Sequence, residues 1–372
     1  MQPGVVRVDI RPVRIKDALM LQVMKNDGRQ TTTNNFLPTE LDVAALLNSG
    51  FANVLVEHIG GSMAIRLTKK DAALVHIENG ERQQNLEHDR VKNRLLQSTD
   101  PFLQEVGISD SSGQIKPTRQ DKYKQIEEFL RLLAPSLRSA IEAGHIHTPT
   151  AKHPLSIVDL GCGNAYLTFA AHQYLASIGI PAHVTGIDIR EDSRNRNIEI
   201  AKKLGITSTM DFLAQEISAT TLESADIAIA LHACDTATDD AIAWGVNHEA
   251  KLLLIAPCCH HDIQSQMKLA PEPWNLLTKH GLLKERLADL LTDALRAQIL
   301  RLVGYRTEVI EFVSDEHTPR NLMIRAIKTG ANPDREEVSR YQEMLKIWGI
   351  EPELASSLHL ASAIEAISQS RA

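Results

Sequence analysis

The run Ile157-Val158-Asp159-Leu160-Gly161-Cys162-Gly163-Asn164-Ala165-Tyr166-Leu167 leads an apolar stretch into an acid, a glycine turn and then a helical pattern. Glycine permits positive φ and lets a ligand lie against the backbone with no Cβ in the way. The acid just before the turn is placed to meet a cationic group on that ligand. One βαβ unit further on, Val184-Thr185-Gly186-Ile187-Asp188 ends in a second carboxylate, suited to accept both hydroxyl protons of a ribose. Glu216 follows the next apolar run and is suited to an exocyclic adenine amine. A dinucleotide turn would read G-x-G-x-x-G, whereas position 166 is Tyr and no feature specific to a pyrophosphate is present. The combination points to S-adenosylmethionine over a nicotinamide cofactor. The expected cofactor-binding residues are Asp159, Gly161, Cys162, Gly163, Asn164, Asp188, Glu216 and His232.

Two polar stretches follow the fourth and fifth apolar runs, Leu231-His232-Ala233-Cys234-Asp235-Thr236-Ala237-Thr238 and Ala256-Pro257-Cys258-Cys259-His260-His261-Asp262. In an open α/β sheet that edge is where ligands bind, so these residues frame the acceptor. Cys and His are zinc ligands, but adjacent ones rarely converge on one ion and the usual spacings are absent, so no metal site is expected. Cys258 as a nucleophile would need a lowered thiol pKa; the plainer reading packs both thiols in the core and leaves His260 or His261 to shape the pocket. Methyl transfer from a sulfonium expels a neutral leaving group, so positioning supplies most of the acceleration. A base matters only if the acceptor must lose a proton, and His232, Asp235, His260 or Lys122 could supply it. The expected catalytic set is His232, Asp235, Cys258, His260 and Lys122.

These segments resemble the methyltransferase family whose eukaryotic members are the methyltransferase-like and glutathione-transferase-C-terminal-domain-containing proteins. The resemblance covers Lys116 to about Lys328 and rests on the glycine turn, the Cys-Asp-x-Ala-Thr stretch and the Pro-Cys-Cys-His segment, in that order. A eukaryotic tRNA ribose 2′-O-methyltransferase family is similar in the Cys-Cys-His-His segment, although the spaced Cys/His zinc finger of that family is absent here. The resemblance implies a class I S-adenosylmethionine-dependent methyltransferase with RNA, tRNA or rRNA, as its substrate class. A methyltransferase acting on a small molecule or a protein, and a non-catalytic S-adenosylmethionine-binding module, are the alternatives.

The elements that must position these residues are legible as periodicity. After Pro154, strand and helix signals alternate, with strands expected at 156–160, 183–188, 209–213, 226–231, 251–256, 306–313 and 321–327. The last two have no long helix between them and are expected to pair as an antiparallel hairpin through Ser314–Arg320. The fold class is therefore α/β, a Rossmann-like seven-stranded class I methyltransferase sheet with a small N-terminal α+β domain. The expected division is an α+β domain over 1–80 suited to substrate recognition, a helical connector over 81–153, the methyltransferase domain over 154–330 and a helical tail over 331–372. Within the connector a charged helical pattern spans Glu81 to about Gln97, and Asp121–Leu133 carries Ile126, Phe129, Leu130 and Leu133 at helical spacing.

Composition bounds the rest. With 372 residues, 43% hydrophobic and 23% charged, the chain is long enough for two domains and unlike a disordered one. All four cysteines, Cys162, Cys234, Cys258 and Cys259, fall in the catalytic half, which is no disulfide framework. No apolar stretch reaches membrane-spanning length and the start lacks the pattern of a signal peptide, so a cytoplasmic protein with no membrane partner is expected. The net charge of −7 gives no global encouragement to nucleic-acid binding, but six bases outnumber three acids between Lys116 and Arg138.

Overall fold

The structure is a computed structural model; it describes the chain except residues 1–4, 17, 28–30, 48–49, 69–71, 81–93, 232, 234, 259, 269, 313–320, 332, 363 and 365–372. The chain divides into two units, Met1–Asn93 and Arg94–Ala372. The first holds two antiparallel three-stranded sheets: β1 (Arg7–Ile15), β2 (Ala18–Asn26) and β3 (Thr31–Phe36), then β4 (Asn53–His58), β5 (Gly61–Leu67) and β6 (Ala73–Asn79), with a short helix α1 (Val43–Leu47) between them. Strand β3 carries no alternating pattern in the sequence, because Thr31–Asn35 is polar throughout and exposed. The expected helical pattern from Glu81 lies largely outside the described residues.

The second unit opens with α2 (Pro101–Glu105) and α3 (Gln120–Glu142). The latter runs past its expected end at Leu133 and through Pro135. Proline in a helix interior costs about 3 kcal/mol; burial of Leu137 and Ala140 in the same core as Ile126, Phe129, Leu130 and Leu133 offsets that cost. Local pattern cannot register such an offset.

Then come β7 (Leu155–Leu160), α4 (Tyr166–Ser177), β8 (Ala182–Asp188), α5 (Glu191–Lys203), β9 (Met210–Ala214), β10 (Ile227–Ala230), α6 (Thr236–Asn247) and β11 (Leu252–Ile255). The helices α7 (His261–Gln266), α8 (Asn275–Thr278) and α9 (Gly281–Leu302) precede β12 (Tyr305–Glu311) and β13 (Leu322–Lys328), and α10 (Arg335–Trp348) and α11 (Glu353–Ser357) close the described chain. The seven strands form one sheet in the order β12-β13-β11-β10-β7-β8-β9. Strands β7 to β11 pair in parallel, and β13 inserts antiparallel between β12 and β11. This is the Rossmann-like seven-stranded arrangement, and the last two strands pair as expected; their connection at 313–320 lies outside the described residues.

Strands β10 and β11 are buried on both faces, which is why they read as unbroken apolar runs. Two cores result, one on each face of the sheet. Gly186 in β8 allows Phe212 of β9 and Cys162 to close over the strand, since a Cβ there would lie 2.7 Å from the Phe212 ring and 3.0 Å from the Cys162 Sγ. Gly186→Ala is therefore expected to lower stability by about 1–3 kcal/mol through overpacking, measured as a shift in the urea unfolding midpoint.

Candidate active site

The glycine turn leaves β7 with Gly161 at φ 82° and Gly163 at φ 53°, and Ala165 at φ 57° precedes α4. Left-handed backbone at these points turns the chain sharply over the edge of the sheet. The loop is held from three sides. The N–H groups of Gly161 and Cys162 both donate to the Ile187 carbonyl at the end of β8, at 2.8 and 2.9 Å. The Gly163 N–H donates to Asp188 Oδ2 at 2.9 Å. From α5, Asn197 Nδ2 donates to the Gly163 carbonyl at 2.9 Å and an Arg196 guanidinium nitrogen to that of Asn164 at 3.0 Å. Asn197 is fully buried and was not singled out from sequence, since an asparagine inside a charged helix carries no signal of its own.

Asp188 ends β8 as expected. Its Oδ1 accepts from the backbone N–H and Nε of Arg190, at 3.0 and 2.9 Å. Burial pushes this carboxyl up, but the Arg190 hydrogen bonds and the Gly163 N–H outweigh it and hold the group below the ordinary carboxylate range. The partner Arg190 has a side chain 63% exposed, so it can leave the carboxylate to another donor.

A cleft beside the loop is lined by Asp159, Gly161, Cys162, Tyr166, Leu167 and Leu231. Asp159 is buried, and its Oδ2 accepts from the Thr168 hydroxyl at 2.5 Å. Burial, with the charge of Asp188 adding, pushes the Asp159 carboxyl up to about 7 against the opposing Thr168 hydrogen bond. Burial likewise pushes the Cys162 thiol well up, which leaves it a protonated, unreactive wall residue. A glycine floor, apolar walls and one buried acid short of positive partners suit a ligand that is partly apolar and carries an ammonium. The residues present therefore fit S-adenosylmethionine.

Tyr166 opens α4, and its hydroxyl donates to Gln125 Oε1 of α3 at 2.6 Å. The Lys122 ammonium lies over the same ring, 4.8 Å from its centroid. Burial lowers the Lys122 pKa, and the neighbouring charges of Arg119 and Arg196 lower it further. The structure thus places Lys122 over the ring of Tyr166, itself a residue of the cleft lining, from a helix that precedes the sheet in sequence.

The other expected catalytic residues stand differently. The Asp235 Oδ1 accepts from the N–H groups of His261 and Asp262, at 2.8 and 3.2 Å, tying the loop after β10 to the start of α7. His260 is buried, with Nε2 2.8 Å from Asp293 Oδ1 on α9. The Cys258 Sγ lies 3.6 Å from the Ala233 carbonyl. Glu216 is exposed just beyond β9 and does not line the cleft. His232, Cys234 and Cys259 lie outside the described residues. Among the described residues no group of three or more His, Cys, Asp or Glu side chains is placed to hold a metal ion.

Residues 121–266 match the family model described as a methyltransferase domain. The chain carries a methyltransferase domain. The methyl donor of that family is S-adenosylmethionine, so the chain is a methyltransferase enzyme using that cofactor. Among solved structures, it is similar to magnesium protoporphyrin IX methyltransferase from Synechocystis PCC 6803 with bound SAH, at 15% identity and TM-score 0.37, over 61% of this chain and 93% of that one. It is also similar to the ribosomal protein L11 methylase from Lactobacillus delbrueckii subsp. bulgaricus, at 15% identity and TM-score 0.32, over 56% and 79% of the two chains. An rRNA methylase from Streptococcus thermophilus is similar at 14% identity and TM-score 0.31, over 47% and 88%. No curated protein matches the chain.

For the methyltransferase, Asp188→Ala is expected to weaken binding of the cofactor product S-adenosylhomocysteine by about 1–3 kcal/mol, the cost of leaving polar groups without a charged acceptor. Titration calorimetry on the folded variant reads this directly. Wild-type affinity would remove Asp188 from the cofactor site.

Proposed function

We propose that the chain methylates RNA, tRNA or rRNA, and that it is of the methyltransferase-like and glutathione-transferase-C-terminal-domain-containing type. The observation that carries the substrate class is Lys122 lying over the ring of Tyr166, a residue that lines the cleft, with Arg119 and Arg196 near enough to lower its pKa, in a protein whose net charge is −7. Cations brought together against their mutual repulsion beside the cofactor loop suit a phosphodiester backbone.

S-adenosylmethionine, when bound, supplies an electrophilic methyl group and a leaving group that departs neutral. Asp159 receives the ammonium of the cofactor, Asp188 the ribose hydroxyls and Glu216 the adenine amine. Gly161, Cys162, Gly163 and Asn164 form the floor, and His232 is a further cofactor-binding residue. The acceptor lies between the loop after β10 and the Pro257–His261 segment. Asp235 and His260 set the shape of this pocket, and Cys258 packs in its wall.

If the acceptor is a ribose hydroxyl, it must lose a proton. Lys122 is the candidate base, because burial and then the charges of Arg119 and Arg196 lower its pKa. An exocyclic amine would need alignment only. Residues 1–80 serve as a separate recognition domain, and the enzyme works in the cytoplasm; no described helix is long and apolar enough to cross a membrane.

Incubation with methyl-labelled S-adenosylmethionine and separate RNA, protein and metabolite fractions tests the reading. Label is expected in a nucleoside of tRNA or rRNA. Label confined to protein or a metabolite would replace RNA as the acceptor, and cofactor binding without transfer to any pool would make the chain a binding module. Lys122→Ala is expected to weaken RNA binding and to reduce the slope of log K against log salt by about 1, read by filter binding from 50 to 200 mM salt, the range being about that in which phosphate contacts are lost. An unchanged slope would take Lys122 off the RNA path.

A further inference from the structure

The loops after β10 and β11 are not held by the sheet alone. Helix α9 presents Asp289, Asp293 and Arg296, spaced four and three residues apart and so on one face. Arg296 is buried and forks onto Asp239 of α6, with Nε to Oδ1 at 2.8 Å and Nη2 to Oδ2 at 2.9 Å. The same Nη2 donates to the backbone carbonyl of Asp235 at 3.1 Å. Asp293 lies 3.5 Å from Arg296 Nη1 and accepts from His260 Nε2 at 2.8 Å. The other ring nitrogen of His260 is 3.2 Å from Asp289 Oδ1, close but not aligned for a hydrogen bond.

Asp235 stands at the centre of this arrangement with φ 52° and ψ −122°, a backbone conformation that residues with a Cβ rarely adopt. Such a conformation persists only where the surroundings over-determine it. Here the carbonyl is held by Arg296 and by the Thr238 N–H, and the carboxylate is held by the His261 and Asp262 N–H groups. One guanidinium thus joins the loop after β10 to the start of α6, and through Asp293 and His260 it is linked to the loop beyond β11.

We propose that Arg296 is a positioning residue for methyl transfer: through the Asp235 carbonyl it fixes the unusual backbone of the loop after β10, so that the two acceptor-side loops move as one body. The proposal rests on the methyltransferase reading and on these loops framing the acceptor. Arg296 reaches neither the cofactor loop nor the cleft lining. Its effect therefore falls on the alignment of the acceptor and not on cofactor affinity. A guanidinium is suited to this task because its planar fork serves Asp239 with two nitrogens and still reaches a carbonyl.

The test uses the full-length protein and the variant Arg296→Lys, which keeps a positive charge against Asp239 but lacks the fork. Three measurements are made: turnover of an unfractionated tRNA and rRNA pool, calorimetric binding of S-adenosylhomocysteine, and amide hydrogen exchange. The expected result is a kcat lowered about tenfold or more, with KM for RNA and S-adenosylhomocysteine affinity within about twofold of wild type. Exchange is expected to quicken at the His261 and Asp262 amides while those of β7 stay protected. Wild-type kcat with wild-type protection at those two amides overturns the proposal. Exchange that quickens equally in β7 also overturns it, because Arg296 would then hold only the fold.

Should Arg296→Lys not fold, the double variant Arg296→Gln with Asp239→Asn removes both charges and gives the same readings. Recovery of kcat together with stability in that variant would mean the guanidinium has no positioning role. If the wild-type protein transfers no label to RNA, the RNA reading fails, and the exchange pattern with S-adenosylhomocysteine affinity still decides the role of Arg296.

Discussion

Asp239→Ala is expected to lower the stability of the protein by about 3–5 kcal/mol, among the largest effects of any single substitution outside the glycine turn. Asp239 and Arg296 are both buried, with a two-point pair at 2.8 and 2.9 Å. Burial pushes the Asp239 carboxyl up, against the opposing pull of Arg296, and buried ion pairs in general gain little net stability over the desolvation they cost. Removing one partner is a different matter. It leaves a guanidinium in the interior with Asp293 at 3.5 Å as its remaining carboxylate within reach among the described residues. Urea unfolding with constant m reads the loss. A change below about 1 kcal/mol would place the pair with surface ion pairs, which contribute little.

The second large effect is on the pH dependence of cofactor binding. The folded-state pKa of Asp159, at about 7, lies above the ordinary carboxylate value of about 3.9. The sign follows from proton binding. Between those values the folded protein holds a proton that the unfolded chain has lost, so this group's contribution to stability is present at low pH and declines as pH rises toward 7. Binding runs the other way. A cofactor ammonium favours the ionised carboxylate, so binding releases the proton, and affinity for S-adenosylhomocysteine is expected to be about tenfold lower at pH 6 than at pH 8. Asp159→Asn should bind more weakly and show a flat profile. Calorimetry in two buffers of different ionisation heat counts the released proton, and a wild-type affinity that does not change from pH 6 to pH 8 would separate Asp159 from the ammonium.

What each level of description decides can be seen in particular residues. The apolar run ending in Asp159, the glycine turn after it and the second run ending in Asp188 are contiguous in the chain. Strand period, turn chemistry and strand-end acids are local properties, so the seven strands and the glycine turn were legible without coordinates. The Cys-Asp and Pro-Cys-Cys-His-His segments were likewise visible as unusual. Their neighbours were not. Arg296 meets Asp239 across 57 residues, His260 meets Asp293 across 33, and Tyr166 meets Gln125 across 41. In the sequence Asp289, Asp293 and Arg296 are ordinary charges of an amphipathic helix, and Asn197 is one polar residue among many.

The same limit applies to the backbone and to protonation. Helix α3 continues through Pro135 because of the core it buries, and Asp235 adopts positive φ because its carbonyl and carboxylate are held by groups from α9, α6 and α7. Asp159 and Lys122 are both displaced from their ordinary ionisation by burial and by charges brought near only in the folded chain. Sequence determined which residue types stand at the carboxyl edge of the sheet, because that follows from where strands end. Tertiary structure decided which of them are buried, what each faces and which state of charge it favours, because desolvation and Coulomb energy depend on distance in space and not along the chain.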